Sequence, residues 1–211
     1  EQIKIVKDVG LACISIFGVF ISTFVGIGLV YKEIDKKTIY NILSKPITRF
    51  QFLLGKYFGL LFTVLINVMI MVFCLLTILY FISGTIAFNL FTAVLLIIVE
   101  LMLIISIAIL FSTFSTPTLS AIFTLAVYVI GHLTSDIRVF GNRTESAAIN
   151  KLTEFLYYVL PNLENFNIKT QIVHRLPVSH EFIIFSFCYG LIYIGLVLLL
   201  AGIIFNIRDF K

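Results

Sequence analysis

Five long apolar runs constrain the fold of this 211-residue chain more than any other feature. They extend over about 9–30, 57–82, 90–111, 117–133 and 182–205. Most approach the roughly 20 residues that a helix needs to cross a bilayer. Backbone groups in lipid must be hydrogen-bonded within their own segment, which favours helices. The runs therefore predict an all-α, polytopic helical membrane protein with a single transmembrane domain over 1–211.

The composition supports this class. Hydrophobic residues make up 60% of the chain and charged residues 12%, whereas a soluble domain carries about a quarter charged residues. The 22 phenylalanines add apolar surface that water would not tolerate. Membrane lipids are therefore expected partners, and nucleic acid is not.

The distribution of charge predicts the orientation, because cytoplasmic loops carry an excess of Lys and Arg. The loop 31–56 and the C-terminal tail together hold eight basic side chains against three acidic ones, and the opposite segments hold seven of each sign. The loop and the C-terminus are therefore expected in the cytoplasm and the start of the chain outside. Glu1 begins a short polar stretch without a signal-peptide pattern, so we expect a first span before it and six in the full protein.

The loop 31–56 has the pattern of a short surface helix, a turn and a new helix. Apolar residues recur among the charges of its first half, as in an amphipathic surface helix over about 32–43: Ile34, Ile39, Ile42 and Leu43. Pro46 disfavours helix at the residue before it. Thr48 and Gln51 have the spacing of a capping box. An ordinary loop that only carries positive-inside charges is the alternative.

Glu100 is the one charged residue within the predicted spans. A carboxylate at the bilayer centre costs about 3 kcal/mol on insertion scales, so its side chain is expected to face the bundle or the seam of a dimer. A structural hydrogen bond, a place on a transport pathway and a proton or ion relay are all compatible with it. A relay usually needs several ionisable groups, and the other spans offer Ser, Thr, Asn67 and Tyr.

The outer segment 134–181 contains a short amphipathic pattern over about 150–160. Its apolar residues share one face, at helical spacing: Leu152, Phe155, Leu156, Val159 and Leu160. About ten residues are too few to cross the membrane, so an interfacial or re-entrant helix is predicted, with Tyr157 and Tyr158 at headgroup depth. Contact with a substrate and a lid that only caps the bundle are both compatible with this helix.

Metal sites, redox sites and catalytic residues are not predicted. The histidines lie at or beyond the outer ends of the predicted spans, without the paired spacing of zinc or haem ligands: His132, His174 and His180. The cysteines lie singly inside spans: Cys13, Cys74 and Cys188. No nucleophile and base stand in an arrangement that indicates an enzyme.

The loop resembles a known family motif. Its matching residues follow one another in the order Lys32-Glu33, Lys37-Thr38, Leu43, Pro46, Arg49 and Gly55-Lys56. This order resembles the signature after the second span of type-2 ATP-binding-cassette (ABC) transporter permeases. The resemblance is closest to the bacterial subgroup that includes permeases from multicopper-enzyme maturation operons. It also covers the longer outer segment and the terminal Phe205-(x2)-Arg208-Asp209-Phe210.

The resemblance implies a type-2 ABC exporter transmembrane domain in the inner membrane of a bacterium. The loop would be a coupling helix on a separate ATPase subunit, with Glu33, Lys37 and Thr38 on or beside the docking surface. Pro46 and Arg49 would shape the turn into the next span. No Gly-rich phosphate loop occurs in the sequence, so ATP and Mg would bind the partner and no cofactor is expected in this chain. Two ATPase copies and a second permease copy or a paralogue would complete the complex.

Three functions are compatible with these features. The first is a permease that exports a substrate while its partner hydrolyses ATP. The second passes mechanical force to a periplasmic protein without transport, and the third is an accessory subunit of a redox or ion-pumping complex. The short outer segment favours the first. Lipids, hydrophobic peptides, small amphiphiles and reduced sulfur species all suit an apolar bundle, with lipids preferred because apolar walls do not repel acyl chains.

Overall fold

The computed structural model describes residues 1–35, 48–84, 89–144, 147–174 and 176–207. These ranges contain no strand. They form seven α-helices: α1 (Gln2–Asp35), α2 (Arg49–Ser83), α3 (Leu90–Phe114), α4 (Pro117–Arg143), α5 (Ala147–Val159), α6 (Lys169–Val173) and α7 (His180–Ile207). A 3-10 helix (Leu163–Phe166) lies between α5 and α6.

Five of these helices are long and apolar enough to cross a membrane. They provide the segments Gln2–Gly28, Arg49–Ser83, Leu90–Phe114, Pro117–Gly141 and His180–Ile207. The predicted all-α, polytopic class is therefore confirmed. Because a backbone in lipid must satisfy its own hydrogen bonds, a bundle of continuous helices is the arrangement that physical chemistry requires here.

All five membrane helices extend beyond the apolar runs that predicted them, and α1 and α4 are two clear cases. α1 begins at Gln2 and continues to Asp35, so the first residues of the predicted surface helix extend the membrane helix instead. α4 continues to Arg143, well past the predicted end near Leu133. Polar residues end the apolar run there but not the helix. The Thr134 hydroxyl donates to the Ile130 and Gly131 carbonyls at 3.0 and 2.8 Å, so this polar group is satisfied within the helix.

The start of α2 confirms the predicted capping box. Thr48 has extended backbone, its hydroxyl accepts a hydrogen bond from the Gln51 amide at 3.2 Å, and the Thr48 amide donates to Gln51 Oε1 at 3.0 Å. Two amides that would otherwise lack partners are thereby satisfied. At the other end Gly84 adopts a φ of 65° and donates to the Tyr80 carbonyl at 2.9 Å, a conformation that glycine tolerates best.

α3 forms the centre of the bundle. Buried residues occur on all sides of it, and α1, α2, α4 and α7 pack around it. A helix that is apolar all round is expected in such a position. Gly190 of α7 permits one close approach, because a Cβ at this position would collide with Val99 of α3 and lie 3.2 Å from the Phe166 ring. Small residues allow helices to approach closely in membranes.

The chain between the fourth and fifth membrane helices begins with an antiparallel hairpin of α4 and α5. Gly141 of α4 lies against Thr153 of α5, and the Arg138 guanidinium lies 4.3 Å from the centre of the Tyr157 ring. The contact nearer the end of α4, at Gly141, pairs with the earlier residue of α5, and the contact at Arg138 pairs with the later one. The two helices are therefore antiparallel, and α5 runs back towards the bundle.

After α5 the chain enters the bundle rather than staying at its surface. Leu163 and Phe166 are fully buried. A Cβ at Gly131 of α4 would lie 2.8 Å from Leu163 and 2.9 Å from the Pro161 carbonyl oxygen. The 3-10 helix packs on α3 and α4, and α6 packs on α1 and α3. We call residues 161–173 the re-entrant segment.

Candidate functional site

Arg49 connects the start of α2 to the end of α7. Its Nη1 donates to the carbonyl oxygens of Phe205 at 3.2 Å and Asn206 at 3.0 Å. The last carbonyls of a helix lack partners within the helix, and the negative end of the helix dipole favours a cation. The Arg49 side chain is therefore a C-terminal cap for the last span.

Aromatic packing surrounds this hydrogen-bonded contact. Phe52 stacks on Phe205 with ring centres 6.0 Å apart and an interplanar angle of 13°. The Lys56 ammonium lies 5.6 Å from the centre of the Phe52 ring. Gly202 leaves room for Phe50, whose ring carbon would lie 2.6 Å from a Cβ at that position. We call this contact, formed by Arg49, Phe50, Phe52, Gly202 and Phe205, the α2–α7 joint.

The other residues predicted to couple the chain to an ATPase lie at or beyond the edge of the described residues. Glu33 belongs to the last turn of α1, and its side chain is not described. Lys37, Thr38 and Pro46 lie outside the described residues. In the sequence, the segment that contains these three residues ends directly before Thr48, so it is adjacent to the α2–α7 joint.

Glu100 lies on α3 inside the bundle, with its side chain fully buried. Its Oε1 is 3.4 Å from Nε2 of His132 on α4, whose side chain is 20% exposed. The sequence predicts His132 at the outer end of its span, and the structure shows that α4 continues beyond it to Arg143 with the imidazole beside Glu100. Glu100 therefore has an ionisable neighbour that the sequence did not predict.

The imidazole of His132 is oriented by its own helix. Nδ1 lies 3.2 Å from the Tyr128 carbonyl oxygen, and the rings of these two residues are 4.6 Å apart. A carbonyl oxygen can only accept, so Nδ1 carries the hydrogen. Nε2 is then the nitrogen presented to Glu100.

The re-entrant segment brings charges towards this pair. Lys169 of α6 and Glu164 of the 3-10 helix act electrostatically on both Glu100 and His132. The Tyr128 side chain faces Ser15 of α1. The pair is thus enclosed by α1, α3, α4 and the re-entrant segment.

His132 continues a row of polar residues along the inner face of α4. The row has a spacing of four residues and consists of Ser120, Thr124, Tyr128 and His132. Its first two members are fully buried, and the Thr124 hydroxyl donates to the Ser120 carbonyl at 2.7 Å. We call this row the polar seam. The four-residue spacing is visible in the sequence and is the signal by which His132 is recognisable as inward-facing.

The end of α5 is fastened to α7. The Tyr193 hydroxyl donates to the Val159 carbonyl at 2.6 Å, and the Asn162 amide donates to the Tyr189 hydroxyl at 3.0 Å. These bonds satisfy backbone groups where the chain leaves helix. Of the side chains predicted to face the interface, Phe155 and Tyr158 are exposed.

An apolar groove opens beside this attachment. Its volume is about 480 Å³. It lies between α3, α4, α7 and the end of α5, and its lining includes Leu110, Phe111, Val127, Tyr158, Pro161 and Leu196. Such a groove suits an acyl chain or another apolar group, because its walls offer few polar partners.

Within the described ranges, no group of three or more His, Cys, Asp or Glu side chains is placed to hold a metal ion. The cysteines are free thiols: Cys13, Cys74 and Cys188. The described geometry places no nucleophile beside a base and an orienting group, the arrangement that covalent catalysis requires.

Comparison with known proteins adds one match. The family model described as "ABC-2 family transporter protein" matches residues 2–210. No curated protein and no solved structure matches the chain.

Proposed function

This chain belongs to the ABC-2 family of transporter proteins, and we propose that it is a permease subunit whose partner, a separate cassette ATPase, hydrolyses ATP to drive export. A family of this kind supplies the membrane component of transport and not the catalyst. The multi-pass bundle of apolar helices agrees with that role. The sequence holds no Gly-rich phosphate loop, so ATP and Mg are assigned to the partner.

The α2–α7 joint is the observation that supports this function best. Within the segment 31–56, α2 begins at the Thr48 capping box, and the next residue, Arg49, donates to carbonyls in the last turn of α7. A push on the loop is therefore delivered to two spans at once. Rigid, well-packed elements transmit displacement, since packed interiors do not deform continuously.

The loop itself is assigned to ATPase docking. Glu33, Lys37 and Thr38 would contact the ATPase, and Pro46 and Arg49 would hold the turn that leads back into the membrane. The loop carries more basic than acidic residues, which suits an acidic groove on the partner.

The assembly follows from the same proposal. Two cassette ATPases would pair with two permeases, either two copies of this chain or this chain and a paralogue. We place the complex in the inner membrane of a bacterium, with the loop and the C-terminus in the cytoplasm and the start of this sequence outside. Permeases of multicopper-enzyme maturation operons are the proposed subgroup.

The proposed cargo is apolar or amphiphilic, with a lipid as the first candidate. The apolar groove between α3, α4, α7 and the end of α5 offers a wall for acyl chains. Tyr158 lines the groove. Phe155 and Tyr157 lie on the same helix, and all three side chains would meet cargo that leaves. Glu100 is assigned to the interior of the pathway or to the dimer seam.

Co-purification tests this function. The full-length protein is isolated in mild detergent, its partners are identified by mass spectrometry, and ATP hydrolysis is measured. Lys37→Glu with Thr38→Ala reverses a charge on the docking loop and is expected to lower recovery of the ATPase about tenfold or more, since like charges across an interface cost several kcal/mol.

The outer segment offers a matched control. Lys151→Glu with Thr170→Ala makes the same two changes at exposed positions there, and this variant is expected to keep the ATPase. Equal recovery from both double variants would reject the docking assignment. Recovery of a haem or quinone protein instead of an ATPase would reject the permease function.

A further inference from the structure

We propose that Glu100 and His132 form a buried binding site for a single proton within the membrane bundle. This ligand is distinct from the cargo and from the ATP of the partner. The site is built from two helices, α3 and α4, and its two ionisable atoms are 3.4 Å apart.

The geometry leaves room for one proton between the two side chains. His132 Nδ1 is committed to the Tyr128 carbonyl, so without a further proton Nε2 and the carboxylate oxygen are both acceptors. A proton taken from water completes the hydrogen bond, either as a carboxylic acid that donates to Nε2 or as an imidazolium that donates to the carboxylate. Its uptake changes the net charge of the pair from −1 to zero.

Burial of the Glu100 carboxylate favours uptake of the proton. Both oxygens of Glu100 are inaccessible, and neither accepts a well-aligned hydrogen bond from any residue that the structure describes. An ionised carboxylate in such surroundings is costly unless it is paired and hydrogen-bonded. The shared proton supplies that hydrogen bond and removes the net charge of the pair.

The surrounding groups do not supply a replacement for the proton. Tyr128 belongs to α4, Ser15 to α1, Lys169 to α6 and Glu164 to the 3-10 helix. The cation and the anion contributed by the re-entrant segment act on the pair with opposite sign. The hydrogen bond between the pair therefore depends on the proton itself.

Occupancy of the site affects the packing of α3 against α4. With the proton, the pair bridges the two helices next to the re-entrant segment. Without it, two acceptors face each other and separate, or draw in another donor. Buried hydroxyls of the polar seam lead from the pair towards the Pro117 end of α4 and offer polar partners on that side.

Nitrogen NMR of the histidines tests the proposal directly. The full chain is labelled with ¹⁵N-histidine and ¹³C-glutamate in lipid nanodiscs, and the spectrum is recorded between about pH 5 and 9, where histidine ordinarily titrates. His174→Asn and His180→Asn variants assign the three signals. The expected result in the unmodified chain is a ¹³C–¹⁵N proximity signal between Glu100 and His132 Nε2, with Nε2 protonation that changes in one step.

Two variants sharpen the result. Glu100→Gln removes the partner and is expected to change the proton affinity of His132 about tenfold or more, the effect of roughly 1.4 kcal/mol. Glu154→Gln changes an exposed acid on α5 and is expected to alter this affinity less than about threefold. Absence of the proximity signal in the unmodified chain, which needs no variant to fold, would overturn the proposal. So would a His132 signal that follows the Na⁺ concentration at constant pH, because the site would then hold a metal cation.

Discussion

Arg49→Ala is the substitution that examines the α2–α7 joint most closely. The guanidinium donates to the Phe205 and Asn206 carbonyls, the first partly buried and the second exposed. Removing it leaves the last turn of α7 without this cap and leaves the start of α2 without its attachment. The stacking of Phe52 on Phe205 would remain.

The expected cost is about 2 kcal/mol. A hydrogen bond to a charged donor contributes about 1.5 kcal/mol at the partly buried Phe205 carbonyl, and the exposed bond contributes about 0.5 kcal/mol. Arg49→Lys keeps the cation at the helix end, worth about 0.3–1 kcal/mol, but loses the planar guanidinium that donates to both carbonyls. It is therefore expected to lose about half as much.

Thermal unfolding followed by circular dichroism measures this cost in detergent. For a chain of this size 1 kcal/mol corresponds to about 2–4 °C, so Arg49→Ala is expected to lower the midpoint by about 4–8 °C. Arg138→Ala is the control, because that exposed arginine only rests over the Tyr157 ring, a contact worth about 0.5–1 kcal/mol.

The order of the three variants decides the outcome. The melting midpoint of Arg49→Ala is expected to be the lowest, and that of Arg49→Lys is expected to lie between it and the midpoint of the parent chain. A midpoint for Arg49→Ala no lower than that of Arg138→Ala would refute the assignment of Arg49 as the cap that joins α2 to α7.

Three further substitutions test the packing by the same melting assay. Gly131→Ala places a methyl group against the Pro161 carbonyl and is expected to cost about 1–3 kcal/mol. Gly195→Ala is the control, because a Cβ there meets nothing within 4 Å, and it is expected to be neutral or stabilising. Equal midpoints would show that the re-entrant segment moves aside to accept the methyl group. Tyr193→Phe removes the donor to Val159 and is expected to cost about 1 kcal/mol, and an unchanged midpoint would contradict that hydrogen bond. Thr48→Ala is expected to cost about 1 kcal/mol through loss of the cap, and a cost no larger than that of Gly195→Ala would argue against the capping box.

Local patterns in the sequence were sufficient to predict the membrane helices and the N-terminal cap of α2. The apolar runs identified the five membrane helices because hydrocarbon selects composition directly. Thr48 and Gln51 are three residues apart, so their reciprocal hydrogen bonds follow from spacing alone. Features of this kind need no knowledge of the tertiary structure.

The side-chain partners of Arg49 and Glu100 could be identified only from the three-dimensional structure. Arg49 bonds carbonyls 156 and 157 residues further along the chain, and no local rule relates such positions. The contact between His132 and Glu100 was not predicted, because the apolar run ends near His132, whereas α4 continues to Arg143 and places the imidazole beside the carboxylate. Composition marks where a helix meets lipid and not where the helix stops.

The re-entrant segment shows the same limit. The pattern at 150–160 indicated a short helix without deciding between an interfacial and a re-entrant course. The descent of the chain after α5 depends on Gly131 and on hydrogen bonds to Tyr189 and Tyr193, which come from other helices. Such contacts arise only once the bundle has assembled.

Site-specific photo-crosslinking in cells tests the central claim most directly, namely that the loop 31–56 docks on a cassette ATPase at the cytoplasmic side. A photoreactive amino acid replaces Thr38 in one variant and Phe155, exposed on the outer helix, in the other. The account predicts a covalent adduct with a cassette ATPase from position 38 and none from position 155. An ATPase adduct from position 155, or no ATPase adduct from either position, would contradict it.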